Sequence, residues 1–153
     1  MMTLCSDVLK VLQGKTLVTA ESLTGGGIGA CLTSVSGASA VYKGGVISYT
    51  NAVKHEVLGV SLQTLEVHGA VSCQTAEEMA VGVRKLLKAD VAVSVTGLAG
   101  PGGDDYGNPV GTVCIGYSDA QKFFAVKRHF EGDRESVRRQ TIQAALKLIL
   151  NNQ

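Results

Sequence analysis

No apolar run in this chain approaches the ~20 residues that a membrane-spanning helix needs. Residues 1–10 carry an acid, Asp7, and lack the long apolar core of a secretory signal, so no targeting segment is expected. Blocks of basic charge are also missing. Beyond the pairs Lys127-Arg128 and Arg138-Arg139 there is no cationic run, and the net charge is +1. That balance excludes an electrostatic nucleic-acid binder. The four cysteines (Cys5, Cys31, Cys73 and Cys114) include no CxxC pair. Their wide spacing, with Cys31 and Cys114 in strongly apolar neighbourhoods, predicts buried free thiols rather than a zinc site or disulfides, and with them a cytoplasmic location. There is no internal repeat and no low-complexity linker. Hydrophobic residues make up 45% and charged residues 18% of 153 positions, a balance that fits one globular domain spanning residues 1–153.

What is present is an alternation of helical and strand periodicity, which predicts an α/β fold: a three-layer α/β/α sandwich around a mixed, mostly parallel sheet. Residues 4–12 read as a helix stopped by Gly14, and residues 16–20 as a strand. A helix over about 25–35 and a strand over 44–50 follow, then a helix through Val57 capped by Thr50 or Asn51. Residues 62–67 and 75–88 read as helices, and Val91-Ala92-Val93-Ser94-Val95 as a buried central strand. Residues 112–117 and 123–130, joined by Asp119-Ala120-Gln121-Lys122, should pair as an antiparallel hairpin. A last helix, 134–150, starts behind a cap at Asp133. The glycine-rich loop between Gly97 and Gly111 is long for a compact domain, and loops of that length tend to serve a site.

The first chemical candidate is the turn Thr19-Ala20-Glu21-Ser22-Leu23-Thr24-Gly25-Gly26-Gly27, between a strand and a helix. It offers a serine as nucleophile or helix cap, and helix-start N–H groups for an anion or oxyanion. The glycines match a dinucleotide-binding pattern, but such a site needs an acid about 20 positions on, and no Asp or Glu lies between Glu21 and Glu56. A Walker A loop is excluded because no Gly-Lys-Ser/Thr follows. None of His55, His68 and His129 sits in a triad context, so a serine enzyme here would need another base. Lys54 fits, in a first helical turn where the dipole disfavours an ammonium, with Tyr49 nearby to relay or orient a proton. Thr96 and Gly97 open a second glycine-rich loop at a carboxyl strand end, where α/β sheets bind ligands. Arg134, opening the last helix, offers a guanidinium to a phosphate or simply lies in solvent.

Taken in order, these pieces resemble the C-terminal domain of the CinA family, the nicotinamide-nucleotide amidohydrolases. The likeness runs through Thr19-Ala20-Glu21-Ser22, Thr24-Gly25-Gly26, Tyr49 with Asn51 and Lys54, and Gly69-Ala70-Val71-Ser72. It continues through Gly97-Leu98-Ala99-Gly100-Pro101, Pro109-Val110-Gly111-Thr112-Val113, and Gly132-Asp133-Arg134 with Val137-Arg138. The resemblance implies hydrolysis of the carboxamide of nicotinamide mononucleotide to nicotinate mononucleotide and ammonia, with no metal and no cofactor. It maps the nucleophile to Ser22 and its partners to Tyr49 and Lys54, and makes Thr96 and Arg134 substrate-contacting positions. Gly97 belongs to the same contacts, and the turn Thr24, Gly25 and Gly26 is expected to hold the oxyanion. A homodimer is also implied.

Two features depart from the family pattern. Leu23 stands where a cysteine often follows the serine, and the chain resembles the stand-alone form without the N-terminal domain of longer members. Two other readings compete: a Ser/Lys amidase for a different small amide, and a non-catalytic nucleotide-binding or interaction module.

Overall fold

A computed structural model describes residues 1–153. Its elements follow the order α1 (Met2–Val11), β1 (Leu17–Glu21), α2 (Gly27–Thr33), a 3-10 turn (Ala38–Ala40), β2 (Tyr42–Ile47) and α3 (Asn51–Glu56). Next come α4 (Leu62–His68), α5 (Cys73–Leu87), β3 (Val91–Gly97), β4 (Thr112–Ser118), β5 (Phe123–His129) and α6 (Arg134–Asn151). The five strands form one sheet in the order β2-β1-β3-β4-β5. β1 pairs in parallel with both β2 and β3, as crossovers through helices require, whereas β3-β4 and β4-β5 are antiparallel. The expected three-layer architecture, mixed sheet and terminal hairpin are all present.

Strand alternation divides the core in two. Leu17, Val91, Val93 and Val95 face a cluster with α1, α2 and α6, which includes Val8, Leu32, Leu146 and Ile149. Val18, Ala20 and Ala92 point the other way, onto Met79 and Val83 of α5. That helix lies close to the sheet, because a Cβ on Gly116 of β4 would collide with the Ala76 carbonyl. Four helices start behind side-chain caps: Thr50, Ser61, Ser72 and Asp133 each accept from the N–H three residues on, a contact worth about 1 kcal/mol apiece. No helix is long and apolar enough to cross a membrane.

The cysteines depart from expectation. Cys5 of α1 and Cys31 of α2 are joined in a disulfide, with Cα atoms 6.6 Å apart, and only Cys73 and Cys114 are free. Local sequence placed Cys31 in an apolar neighbourhood but said nothing of Cys5 beyond its distance from the other cysteines. What it did not contain was the packing of α1 directly on α2, which brings the two residues together. The inference from free thiols to a cytoplasmic location loses its basis at this pair.

Candidate active site

The carboxyl ends of β1, β2 and β3 converge, and the loops leaving them enclose a cavity of about 460 Å³. That volume falls within the roughly 300–1,000 Å³ of small-molecule sites. Its floor is the turn after β1. Ser22 stays anchored to the sheet, donating its N–H to the Val95 carbonyl at 3.0 Å, and is 6% exposed. The chain then swings into α2.

Lys54 reaches this floor from α3 and is 1% exposed. Its Nζ donates to Ser22 Oγ at 3.1 Å, to the Ser48 carbonyl at 2.8 Å and to the Tyr49 carbonyl at 3.2 Å. All three acceptors are neutral. The one ion pair of the structure, His129 with Glu131, lies elsewhere. Burial without an anion lowers the Lys54 pKa to about 8. The cause therefore differs from the helix-dipole argument made on sequence: α3 has only six residues and Lys54 sits in its last turn. With the amine neutral, the same contact runs in reverse, Ser22 Oγ–H donating to Nζ while the two carbonyls take the remaining N–H groups.

Behind the turn, Glu21 is also buried, at 2% exposure. Its carboxylate accepts from Thr24 Oγ1 at 2.6 Å, Ile28 N–H at 2.8 Å and Gly29 N–H at 3.0 Å, which makes it the anionic cap of α2. Arg138 closes the turn from the other side, donating to the Leu23 and Thr24 carbonyls at 3.0 and 3.2 Å. Neither residue was assigned a role from sequence. The signals were available: Glu21 is the last acid before a long acid-free stretch, and Arg138 lies one helical turn after Arg134, on the same face.

Ser22, Tyr49, Lys54, Thr96, Gly97 and Arg134 all line the cavity. Thr24, Gly25 and Gly26 do not: Thr24 spends its hydroxyl on Glu21, and Gly26 faces a separate groove beside β2. Both glycines adopt positive φ, 58° and 101°, so their part is the tight turn into α2. Thr96 donates its hydroxyl to the Ala70 carbonyl at 2.8 Å, fixing one wall. Tyr49 touches Lys54 through its carbonyl, while its phenol oxygen accepts from Arg134 Nη2 at 3.2 Å on the rim. Arg134 Nη1 also donates to the Gly100 carbonyl at 2.7 Å, so this side chain ties the glycine-rich loop to Tyr49 across the mouth.

That loop is built around Asp104. Its carboxylate accepts from the N–H groups of Tyr106 and Asn108 and from Asn108 Nδ2, and these hydrogen bonds hold its pKa below the usual carboxylate range against the opposing effect of burial. Tyr106 latches the loop onto α4 by donating to the Glu66 carbonyl at 2.7 Å. A larger cavity, about 620 Å³, lies between Val57–Gly59 and α5, but it brings no nucleophile against a base. No group of three or more His, Cys, Asp or Glu side chains is placed to hold a metal ion.

Residues 2–152 match the family model of the CinA C-terminal domain. The chain belongs to the CinA C-terminal domain family. Within it, the nicotinamide-nucleotide amidohydrolase PncC of Enterobacter agglomerans is 46% identical over 145 residues, covering 92% of this chain and 88% of that protein. A CinA-like protein of Rippkaea orientalis is 46% identical over 149 residues, 94% of this chain but 36% of its own length. The chain spans 35% of the length of the first curated relatives it matches, so much of those proteins lies outside the shared CinA domain. Among solved structures, the competence damage-inducible protein A of Klebsiella pneumoniae superposes with a TM-score of 0.95 at 36% identity, covering 98% of this chain and 94% of that one.

Proposed function

We propose that this protein is an amidohydrolase that converts nicotinamide mononucleotide and water into nicotinate mononucleotide and ammonia. The observation that carries this reading is the 3.1 Å contact between buried Lys54 Nζ and Ser22 Oγ at the floor of a nucleotide-sized cavity. Two further observations support it: the activity named for the PncC relative, and the near-complete length that the two chains share.

The chemistry follows from the contacts. Neutral Lys54 takes the Ser22 hydroxyl proton as Oγ bonds to the amide carbon. Leu23 lines the cavity and its N–H makes no hydrogen bond within the protein, so it is a donor for the oxyanion; the Gly25 N–H is already given to the Ser22 carbonyl. The Lys54 ammonium protonates the departing nitrogen as the C–N bond breaks, and ammonia leaves. Water then attacks the Ser22 ester and gives its proton to Lys54, which passes it to Oγ as the Oγ–carbonyl bond breaks, releasing the acid and restoring both Ser22 and neutral Lys54. Arg134 uses two of its five N–H donors within the protein, leaving the rest for the 5′-phosphate. Tyr49, in this scheme, positions that guanidinium.

The test is ammonia release from nicotinamide mononucleotide by the wild type and by Ser22→Ala. Release by the wild type, with a loss of at least about 10³-fold in the variant, supports the reading. A wild type that binds the nucleotide without releasing ammonia would make the domain a binding module.

A further inference from the structure

Lys54 is a buried cation with no counter-ion. The groups around it show why nothing nearby supplies one. On β1, the Glu21 carboxylate is turned away and saturated by the α2 N-terminus. On its own helix, His55 is engaged through a ring nitrogen with the Val60 carbonyl at 2.7 Å, and Glu56 is exposed to solvent. Across the cavity, Asp104 is held by Tyr106 and Asn108, and Asp105 is exposed at the mouth. From α6 come two further positive charges, Arg134 and Arg138. Tyr49 offers only its carbonyl. The proton on Lys54 is therefore unusually sensitive to whatever charge enters the cavity.

Building on the proposed amidase reading, we infer that the positive charge of the substrate's own ring helps expel the proton from Lys54, so that the site selects carboxamides on cationic rings over the same amides on uncharged rings. The geometry sets the distance. Attack by Ser22 Oγ, 3.1 Å from Nζ, places the ring of an aromatic carboxamide roughly 6 Å from the amine. At an effective dielectric of ~20, one positive charge there lowers the lysine's midpoint by about one to two pH units. Free Lys54, which titrates near pH 8, is mostly protonated at neutral pH. With the cationic ring bound, a large part of it becomes the neutral base. Linkage requires the converse: the cationic nucleotide binds more tightly as pH rises through the lysine's midpoint, and its binding at pH 7 releases a proton.

The experiment compares nicotinamide mononucleotide with its 1,4-dihydro form, which keeps carboxamide, ribose and phosphate but loses the ring charge. Midpoints are compared rather than rates, because the two amides differ in electrophilicity. For the cationic substrate, kcat should rise with a midpoint about one to two units below that of kcat/KM, which reports free enzyme. For the uncharged ring the two midpoints should coincide. Calorimetry of Ser22→Ala in buffers of different ionisation enthalpy should show proton release, roughly half an equivalent at pH 7, with the cationic nucleotide and none with the dihydro form. Lys54→Met should abolish that release and bind the cationic nucleotide more tightly at pH 7 than Ser22→Ala does, a gain that a merely structural lysine would not produce. Turnover with equal midpoints, or binding without proton release, overturns the inference and leaves the amidase reading standing. Binding with proton release but no turnover by the wild type overturns the amidase reading alone. An absence of both binding and turnover overturns both.

Discussion

Glu21 and Lys54 are buried on opposite sides of the same turn and are treated in opposite ways. Behind Ser22, the carboxylate has a hydroxyl and two helix-start N–H groups within 3.0 Å, so the positive end of the helix dipole favours its charge and it organises α2. In front, the ammonium has three neutral oxygens, and burial pushes its pKa down to about 8. A buried carboxylate at the positive end of a helix stabilises the fold, whereas a buried ammonium held only by neutral oxygens, with no opposite charge, is poised to give up its proton. The turn carrying Ser22 is rigid on one side so that it can be chemically unsettled on the other.

The sharpest way to break this contrast is Lys54→Met. Turnover should fall by about 10³-fold or more, while the fold should gain about 1–2 kcal/mol at pH 7, because a desolvated ammonium is removed and only two carbonyls and the Ser22 hydroxyl lose their donor. The pH dependence fixes the sign. Below pH 8 the folded lysine still holds its proton and the cost of burial is fully present. Between about 8 and the ordinary 10.5 the folded form sheds its proton before the unfolded one, so wild-type stability rises and the gap to the variant closes. Denaturant unfolding at pH 7 and pH 10 measures it. A variant less stable than wild type at pH 7 would remove the idea of an uncompensated charge.

Glu21→Gln should do the reverse. The amide keeps one acceptor oxygen but turns an NH₂ toward the Gly29 N–H, so stability should drop by about 2–3 kcal/mol. Activity should fall about 10- to 100-fold through displacement of Ser22, with the pH midpoint unchanged. A shifted midpoint would mean that Glu21 acts on Lys54 electrostatically, and the two sides of the turn would no longer be separable.

Much of this was legible in the chain. The central strand, read as 91–95 and found at Val91–Gly97, the hairpin, the cap at Asp133 and the α3 cap, left open between Thr50 and Asn51 and found at Thr50, follow from periodicity and local side-chain chemistry, both of which are short-range. Ser22, Lys54, Thr96 and Arg134 line one cavity; their joint assignment came from the resemblance to the CinA family, while the rule for carboxyl strand ends pointed only to the loop at Thr96. What stayed hidden depends on distant packing. The Cys5–Cys31 bond needs α1 against α2, the Arg138 clamp needs α6 against the Ser22 turn, and the capping by Glu21 needs a side chain to reach seven residues ahead. The Thr24, Gly25 and Gly26 turn shows the same limit: a strand-to-helix motif announces a site without saying which N–H groups face it.

The mouth of the cavity gives the mildest tests. Arg134→Ala should raise KM for nicotinamide mononucleotide about 10- to 100-fold and leave the dephosphorylated riboside unaffected if, as proposed, the guanidinium holds the phosphate. Tyr49→Phe separates two roles for the tyrosine. Its phenol oxygen meets Arg134 at 3.2 Å on the rim, and only its carbonyl reaches Lys54, so the substitution leaves every contact of Lys54 in place. The expected result is kcat within about threefold of wild type and a modest rise in KM, confined to the phosphorylated substrate. A loss of kcat with both substrates, together with a displaced pH midpoint, would instead mean that the phenol swings inward during turnover to share the proton between Ser22 and Lys54. The front of the turn would then need a mobile hydroxyl to complete what its fixed partners leave undone.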